Sequence, residues 1–341
     1  MFKQAISNSE IEASERKSRI TPMMFGVDFL DHATRGIFPD DLILIGAPSG
    51  AGKTQLCCNI AKTNLASGKR VHYIALEASE FEIERRLKFP LVMKYYYSDP
   101  LKPKLGKIAF PEWLLGEYSD QLEAYESLAE GDFKEHYKNL YLHYKADKFG
   151  LVELIEAVSL IADETDLIMI DHVHYFDFDD DNENRAIKEI AKTVRSLAIE
   201  QKKPIILVAH LRKRDRNNEE LIAGLEEFHG SSDLFKIATK VITMAPGTMT
   251  NEGLYESYFR VPKNRIDGGV TRFSAKEFFD PKTGSYFHGL YELGLSYQRR
   301  GKEFEKLEPG LIPDWARNAS SGRSLGNHVS TDTRSRMPFK D

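Results

Sequence analysis

Short apolar runs recur along the chain, separated by stretches in which apolar residues fall three and four positions apart. The runs lie at 41–46, 71–76, 139–144, 167–171, 204–209 and 240–245. Each is short and bounded by polar or turn residues, which marks it as a strand, and those at 41–46 and 71–76 read as buried strands. Residues 183–201 carry the clearest helical period, with Ile187, Ile190, Ala191, Val194, Leu197 and Ala198 on one side. After the first run, Leu56, Cys57, Ile60, Ala61 and Leu65 line one side of another helix, and Gly68 reads as its stop signal. Ser79-Glu-Phe-Glu82 has the form of a capping box that opens a further helix. Strands at 256–263 and 270–279 flank Ile266-Asp-Gly-Gly269 as a hairpin, and Asp280-Pro-Lys-Thr-Gly284 marks a turn before Tyr286.

Strand and helix signals therefore alternate, which predicts an α/β fold around a mostly parallel sheet. The expected organisation is an N-terminal arm over 1–20, one domain over 21–295 and a polar tail without periodicity over 296–341. The 341 residues are enough for a large buried core. The formal net charge of −5 removes any global basic signature for nucleic acid, although a local basic stripe suffices for that purpose. Cys57 and Cys58 are the two cysteines; adjacent on a helix, they offer neither a disulfide framework nor zinc spacing. No apolar leader or membrane-length run occurs, so the expected location is the cytoplasm, with no membrane partner.

Chemistry concentrates at the ends of the apolar runs. Ala47-Pro-Ser-Gly-Ala-Gly-Lys-Thr54 follows the first run and fits the phosphate-binding loop, with Ala47 at the first glycine position. Small residues from Ala47 through Pro48, Ser49, Gly50, Ala51 and Gly52 let backbone N–H groups face a phosphate. Lys53 reaches the β- and γ-phosphates, the Thr54 hydroxyl ligates Mg²⁺, and Gln55 continues into the helix whose positive end faces the same charge. Asp171 ends the run in "DLIMIDHVHYF", where an aspartate holds the metal's ligand sphere. Glu77 ends "YIALE", placed to polarise an attacking water, and reads equally as a solvated glutamate at a helix start. His210 ends "PIILVAH" as a γ-phosphate sensor or a locally bonded histidine. Arg212, Lys213, Arg214 and Arg216 follow it as a solvated loop or as phosphate contacts for nucleic acid. Lys263 and Arg265 sit two apart on a strand, as solubilising charges or as an arginine finger and its helper.

In this order the segments resemble the ATPase domain of DnaB-type hexameric replicative helicases, a RecA-like P-loop family. The resemblance rests on the loop to Thr54, "ALEASEFEIERRL" with Glu77 and Arg86, "LIMIDHVHYF" followed by "ENRAIKEIAKTVRSLAIEQKKPIILVAHLRK", "HGSSDLFKIATKVI", and Lys263-Asn-Arg265 with Gly268-Gly269. It covers roughly 20 to 290. His210 departs from the glutamine usual in the bacterial enzymes and is similar to the histidine of phage and mitochondrial relatives. The resemblance implies ATP and Mg²⁺ as cofactors, a hexameric ring, and single-stranded DNA as partner, with 5′–3′ movement and a possible loader or primase. It assigns Glu77 as the catalytic glutamate, Asp171 as the Walker B residue, and Lys263 and Arg265 as groups acting on a neighbour's ATP. His229, Gly230 and Ser231 fall in a DNA-facing channel loop. One departure favours a different class of function: "DFDDDNENR" places Asp177, Asp179, Asp180 and Asp181 where relatives carry a channel loop, and these acids repel DNA phosphates. The alternative is a non-unwinding RecA- or KaiC-like ATPase serving as mediator, loader or switch.

Overall fold

The computed structural model describes residues 9–17, 22–144, 148–177, 183–211, 232–251, 253–266 and 275–288. Its strands are β1 (Leu42–Ala47), β2 (Val71–Ala75), β3 (Leu140–Tyr144), β4 (Leu167–Asp171), β5 (Ile205–His210), β6 (Lys240–Met249), β7 (Tyr255–Asn264), β8 (Ala275–Asp280) and β9 (Ser285–His288). They form one nine-stranded sheet in the order β3-β2-β4-β5-β1-β6-β7-β8-β9. Neighbours are parallel from β3 to β6 and antiparallel from β6 to β9. This is the RecA-like P-loop architecture. Each short apolar run has become a strand, and the predicted hairpin appears as β7 and β8, though its connection falls outside the described residues.

The inner runs are apolar throughout because alternate residues feed two cores; the edge strand β3 is not, with Leu140, Leu142 and Tyr144 half-buried on one face and Tyr141 and His143 exposed on the other. Ile43, Ile45, Tyr73, Met169, Ile206 and Val208 pack on one face. Leu42, Leu44, Ile74, Ile168, Ile170, Ile205 and Leu207 pack on the other. The helices are α1 (Ser9–Lys17), α2 (Asp28–Thr34), α3 (Lys53–Ala66), α4 (Glu82–Ser98), α5 (Phe110–Leu114), α6 (Ser119–His136), α7 (Leu151–Ile161), α8 (Glu183–Gln201) and α9 (Ser232–Ile237). Residues of α2, α3, α4 and α6 join the first core, and those of α7, α8 and α9 join the second. In α8 the predicted apolar positions are the buried ones.

Two expectations need correction. The capping box over Ser79–Glu82 is only half formed. Glu82 Oε2 accepts from the Ser79 N–H at 3.3 Å, but Phe81 takes a left-handed backbone and α4 begins at Glu82 itself. The helix after the phosphate loop is not one-sided. Asn59, Lys62 and Asn64 are buried along with its apolar positions. Asn59 Nδ2 donates to the Phe25 and Gly26 carbonyls, and Asn64 exchanges hydrogen bonds with the Met24 backbone. Lys62 Nζ donates to the carbonyls of Thr283 and Gly284 and to Ser285 Oγ, at 3.0, 2.5 and 2.6 Å. Burial pushes this lysine down to about 7. The predicted stop holds: Gly68 is left-handed (φ 76°), its N–H reaches the Leu65 carbonyl, and the Lys69 N–H reaches that of Asn64.

Beneath β1, Lys240 Nζ pairs with Asp41 and donates to the Gly36 carbonyl at 2.8 Å, with the lysine side chain fully buried. Thr239 Oγ1 donates to the other Asp41 oxygen at 2.7 Å. Removing one partner leaves the other charge unpaired in the interior. Lys240→Met is therefore expected to cost about 3–5 kcal/mol. Urea unfolding checks this; an unchanged midpoint would show that Asp41 finds relief elsewhere.

Candidate active site

Because β1, β2, β4 and β5 run parallel, their C-terminal ends open on the same edge of the sheet, the edge where ligands bind in open α/β folds. The chain leaves β1 through Pro48–Gly52 into α3. Gly50 and Gly52 have φ of 77° and 89°, a left-handed backbone that glycine adopts without strain. This turn presents the first turn of α3, with its unpaired amides, to a cleft of about 400 Å³ lined by Ser49, Gly50, Lys53, Thr54, Glu77 and His210, among others. Lys53 Nζ donates to the Ala47 and Pro48 carbonyls at 3.4 and 3.2 Å and meets His210 Nδ1 at 3.0 Å. Burial lowers the lysine's pKa, while Asp171 and Glu77 oppose that shift.

Asp171 ends β4 and is buried. Its Oδ2 accepts from the Thr54 hydroxyl at 3.0 Å and from the Tyr73 hydroxyl at 2.8 Å. Its Oδ1 is buried without a hydrogen-bond partner. A free carboxylate oxygen beside a threonine hydroxyl, facing a phosphate cradle, is the all-oxygen donor set Mg²⁺ takes, so the residues fit that ion. Burial raises the Asp171 pKa, against the lowering effect of the two hydroxyls and Lys53.

Glu77 follows β2 by two residues and faces the cleft. Desolvation and then the Asp171 charge raise its pKa. The Glu77 Oε2 lies 2.9 Å from His172 Nε2 and 3.8 Å from His210 Nε2. Burial drives both imidazoles toward the neutral form, His210 down to about 4.

An AAA domain family model matches residues 29–216, more than half of the chain. The chain belongs to the AAA domain family. Among solved structures this AAA domain is similar to one described as an "ATPase Domain", at 17% identity and a TM-score of 0.67, covering 84% of this chain and 100% of that one. It is likewise similar to the chain of "The Structure Of A DnaB-Like Replicative Helicase And Its Interactions With Primase", at 17% identity and a TM-score of 0.65, covering 85% of this chain and 68% of that one. A search of curated proteins finds no match. The fold is thus that of DnaB-type helicase ATPase domains.

The AAA domain brings Ala47–Gln55, Glu77, Asp171 and His210 to one cleft or its walls, from segments far apart in sequence. Lys263 and Arg265 do not line it. Arg265 also lies one residue beyond the end of β7, where a strand position was expected. It is exposed, with its backbone N–H on the Thr239 carbonyl. Lys263 Nζ donates to the Phe235 and Lys236 carbonyls at 2.8 and 2.9 Å, capping the C-terminus of α9. Arg212, Lys213, Arg214, Arg216, His229, Gly230 and Ser231 lie outside the described residues, as do Asp179–Asp181, the last residues of the predicted domain over 289–295 and the whole tail over 296–341. Among the described residues no helix is long and apolar enough to cross a membrane. Sequence reasoning missed Tyr73 and His172. The signal for His172 was its place directly after Asp171, at the end of the same strand.

Proposed function

We propose that this AAA domain is the motor of an ATP-driven, ring-forming DNA helicase or translocase of the DnaB type, hydrolysing ATP at subunit interfaces. One observation carries the reading: Lys53, Thr54, Asp171 and Glu77 converge from the ends of three parallel strands on one phosphate-sized cradle. Lys53 and the loop amides hold the β- and γ-phosphates. Thr54 and Asp171 would hold Mg²⁺, which would supply charge neutralisation at the phosphates. Glu77 accepts a proton from water as the water oxygen bonds to the γ-phosphorus and the bond to the β,γ-bridging oxygen breaks, releasing ADP and phosphate. Tyr73 keeps Asp171 fixed from below. Since Arg265 does not line its own chain's cleft, the finger role requires a neighbour, and turnover depends on assembly. Single-stranded DNA would run through the ring, gripped by Arg212–Arg216 and the loop at His229–Ser231. A primase or loader would be a further partner, and the first 20 residues an arm tying subunits together.

The test is steady-state ATP hydrolysis with and without single-stranded DNA at two salt concentrations, with Lys53→Ala as the blank. Several-fold stimulation by DNA, weakened by salt, is expected for a channel that grips phosphates. Turnover indifferent to DNA would overturn the helicase reading. It would favour the RecA- or KaiC-like switch, which the acidic stretch from Asp177 supports.

A further inference from the structure

Glu77, His172 and His210 bring a carboxylate and two imidazoles within 4.8 Å of one another, the raw donor set of a transition-metal site. The hydrogen bonds around the rings argue for a different use. His172 Nδ1 accepts from the His174 backbone N–H at 3.3 Å. His210 Nδ1 faces the Lys53 ammonium, a donor, at 3.0 Å. A neutral imidazole that accepts at Nδ1 carries its hydrogen on Nε2. Both rings therefore turn an Nε2–H toward the same Glu77 oxygen, where a metal would need a lone pair.

The two histidines are not equivalent. His210 stands at 3.8 Å from Glu77 and is tied to Lys53, whose ammonium the phosphates of ATP attract. His172 is fully buried, stands at 2.9 Å, has its Nδ1 bonded within its own turn and packs its ring edge-on against His210, with centroids 4.1 Å apart. Its Nε2 lies close to the carboxylate yet has no completed hydrogen bond. Glu77 is more than a third exposed and lines the cleft. Hydrogen bonds of this kind tighten on forming the reactive complex.

We infer that His172 is a positioning residue that holds the Glu77 carboxylate, through its Nε2–H, in the orientation that accepts the proton of the attacking water. The inference rests on the ATPase reading above. His172 is buried behind Glu77 and does not itself line the cleft. It fixes where the carboxylate oxygen points, and an error of about 1 Å in such a placement costs about 10²-fold in rate.

The experiment compares two variants by steady-state ATP hydrolysis and thermal melting of the full chain. His172→Leu removes the donor. His172→Gln keeps an N–H near the Nε2 position. Expected are a kcat drop of about 10–10²-fold for His172→Leu with KM for ATP within about twofold, and recovery of most of kcat by His172→Gln. Equal losses in both variants together with a lowered melting temperature, or an unaltered kcat in His172→Leu, would overturn the inference. A second readout needs neither variant nor turnover. Nitrogen-15 shifts of the histidine rings, measured with and without a non-hydrolysable ATP analogue and Mg²⁺, are expected to show His172 as the Nε2–H form in both. They are also expected to show its proton resonance moving downfield with the analogue, as the hydrogen bond is completed. The opposite tautomer, or loss of the Nε2 proton when Zn²⁺ is added at micromolar concentration, would overturn it and assign the three side chains to a metal. If the wild type turns over no ATP, the ATPase reading fails alone, and the ring shifts still decide whether His172 addresses Glu77.

Discussion

Glu77→Gln is expected to bind ATP with near wild-type affinity and to lose about 10²–10⁴-fold in kcat. Glutamine keeps the volume and the hydrogen-bonding oxygen but cannot take a proton from water. The loop residues that hold the phosphates are untouched, so the loss belongs to kcat and not to KM. The same residue sets a pH dependence. As the proposed base Glu77 has to be a carboxylate, and desolvation with the neighbouring Asp171 charge raises its pKa. The wild-type kcat should therefore begin to fall, as pH is lowered, above the ordinary glutamate range. In Glu77→Gln that limb should disappear. A Glu77→Gln enzyme with full turnover would move the base elsewhere.

Arg265→Ala is expected to leave nucleotide binding intact and to lower assembled turnover by about 10³–10⁵-fold. The pairing of sites gives a sharper version of the test. Arg265→Ala subunits have an intact cleft and no finger; Lys53→Ala subunits have a finger and no working cleft. Each is inactive alone. Mixed before assembly, they should regain part of the wild-type rate, because some interfaces join an intact cleft to an intact finger. No recovery in rings shown to be mixed, or full activity of Arg265→Ala alone, would place the finger on another residue.

Much of the frame was legible because the central strands β2, β4, β5 and β1 are parallel and covered on both faces. Such strands need apolar residues at every position, and runs like Leu42–Ile45 announce themselves. The second face of α8 meets water, so its period of 3.6 was equally plain. The phosphate loop was legible because glycine is required where φ is positive. Burial of polar groups was not legible. Asn59 and Lys62 look solvent-facing on a helical wheel and Asn64 is a polar residue inside the apolar arc, yet each satisfies a backbone segment far away in sequence. Residues 110–136 gave no strong period either, because α5 and α6 bury few side chains of their own. In the site, the strand-end residues were found one by one. What joins them was not: the Lys53–His210 contact spans a separation of 157 residues, and His172 lay hidden beside the aspartate that drew attention.

The Lys62 clamp also bears on where this unit can be cut. The family match stops at residue 216, and a fragment trimmed there would still contain the whole phosphate loop and every side chain bonded to it. It would not contain Thr283, Gly284 or Ser285, the acceptors for an ammonium in the third turn of the loop's own helix. Trimming would expose β1 along the edge that β6 covers, and would strip Lys62 of all three oxygens. The stretch that keeps all of these contacts to α3 therefore runs from the Met24 and Phe25 backbone through Ser285, well past His210, the last residue lining the cleft.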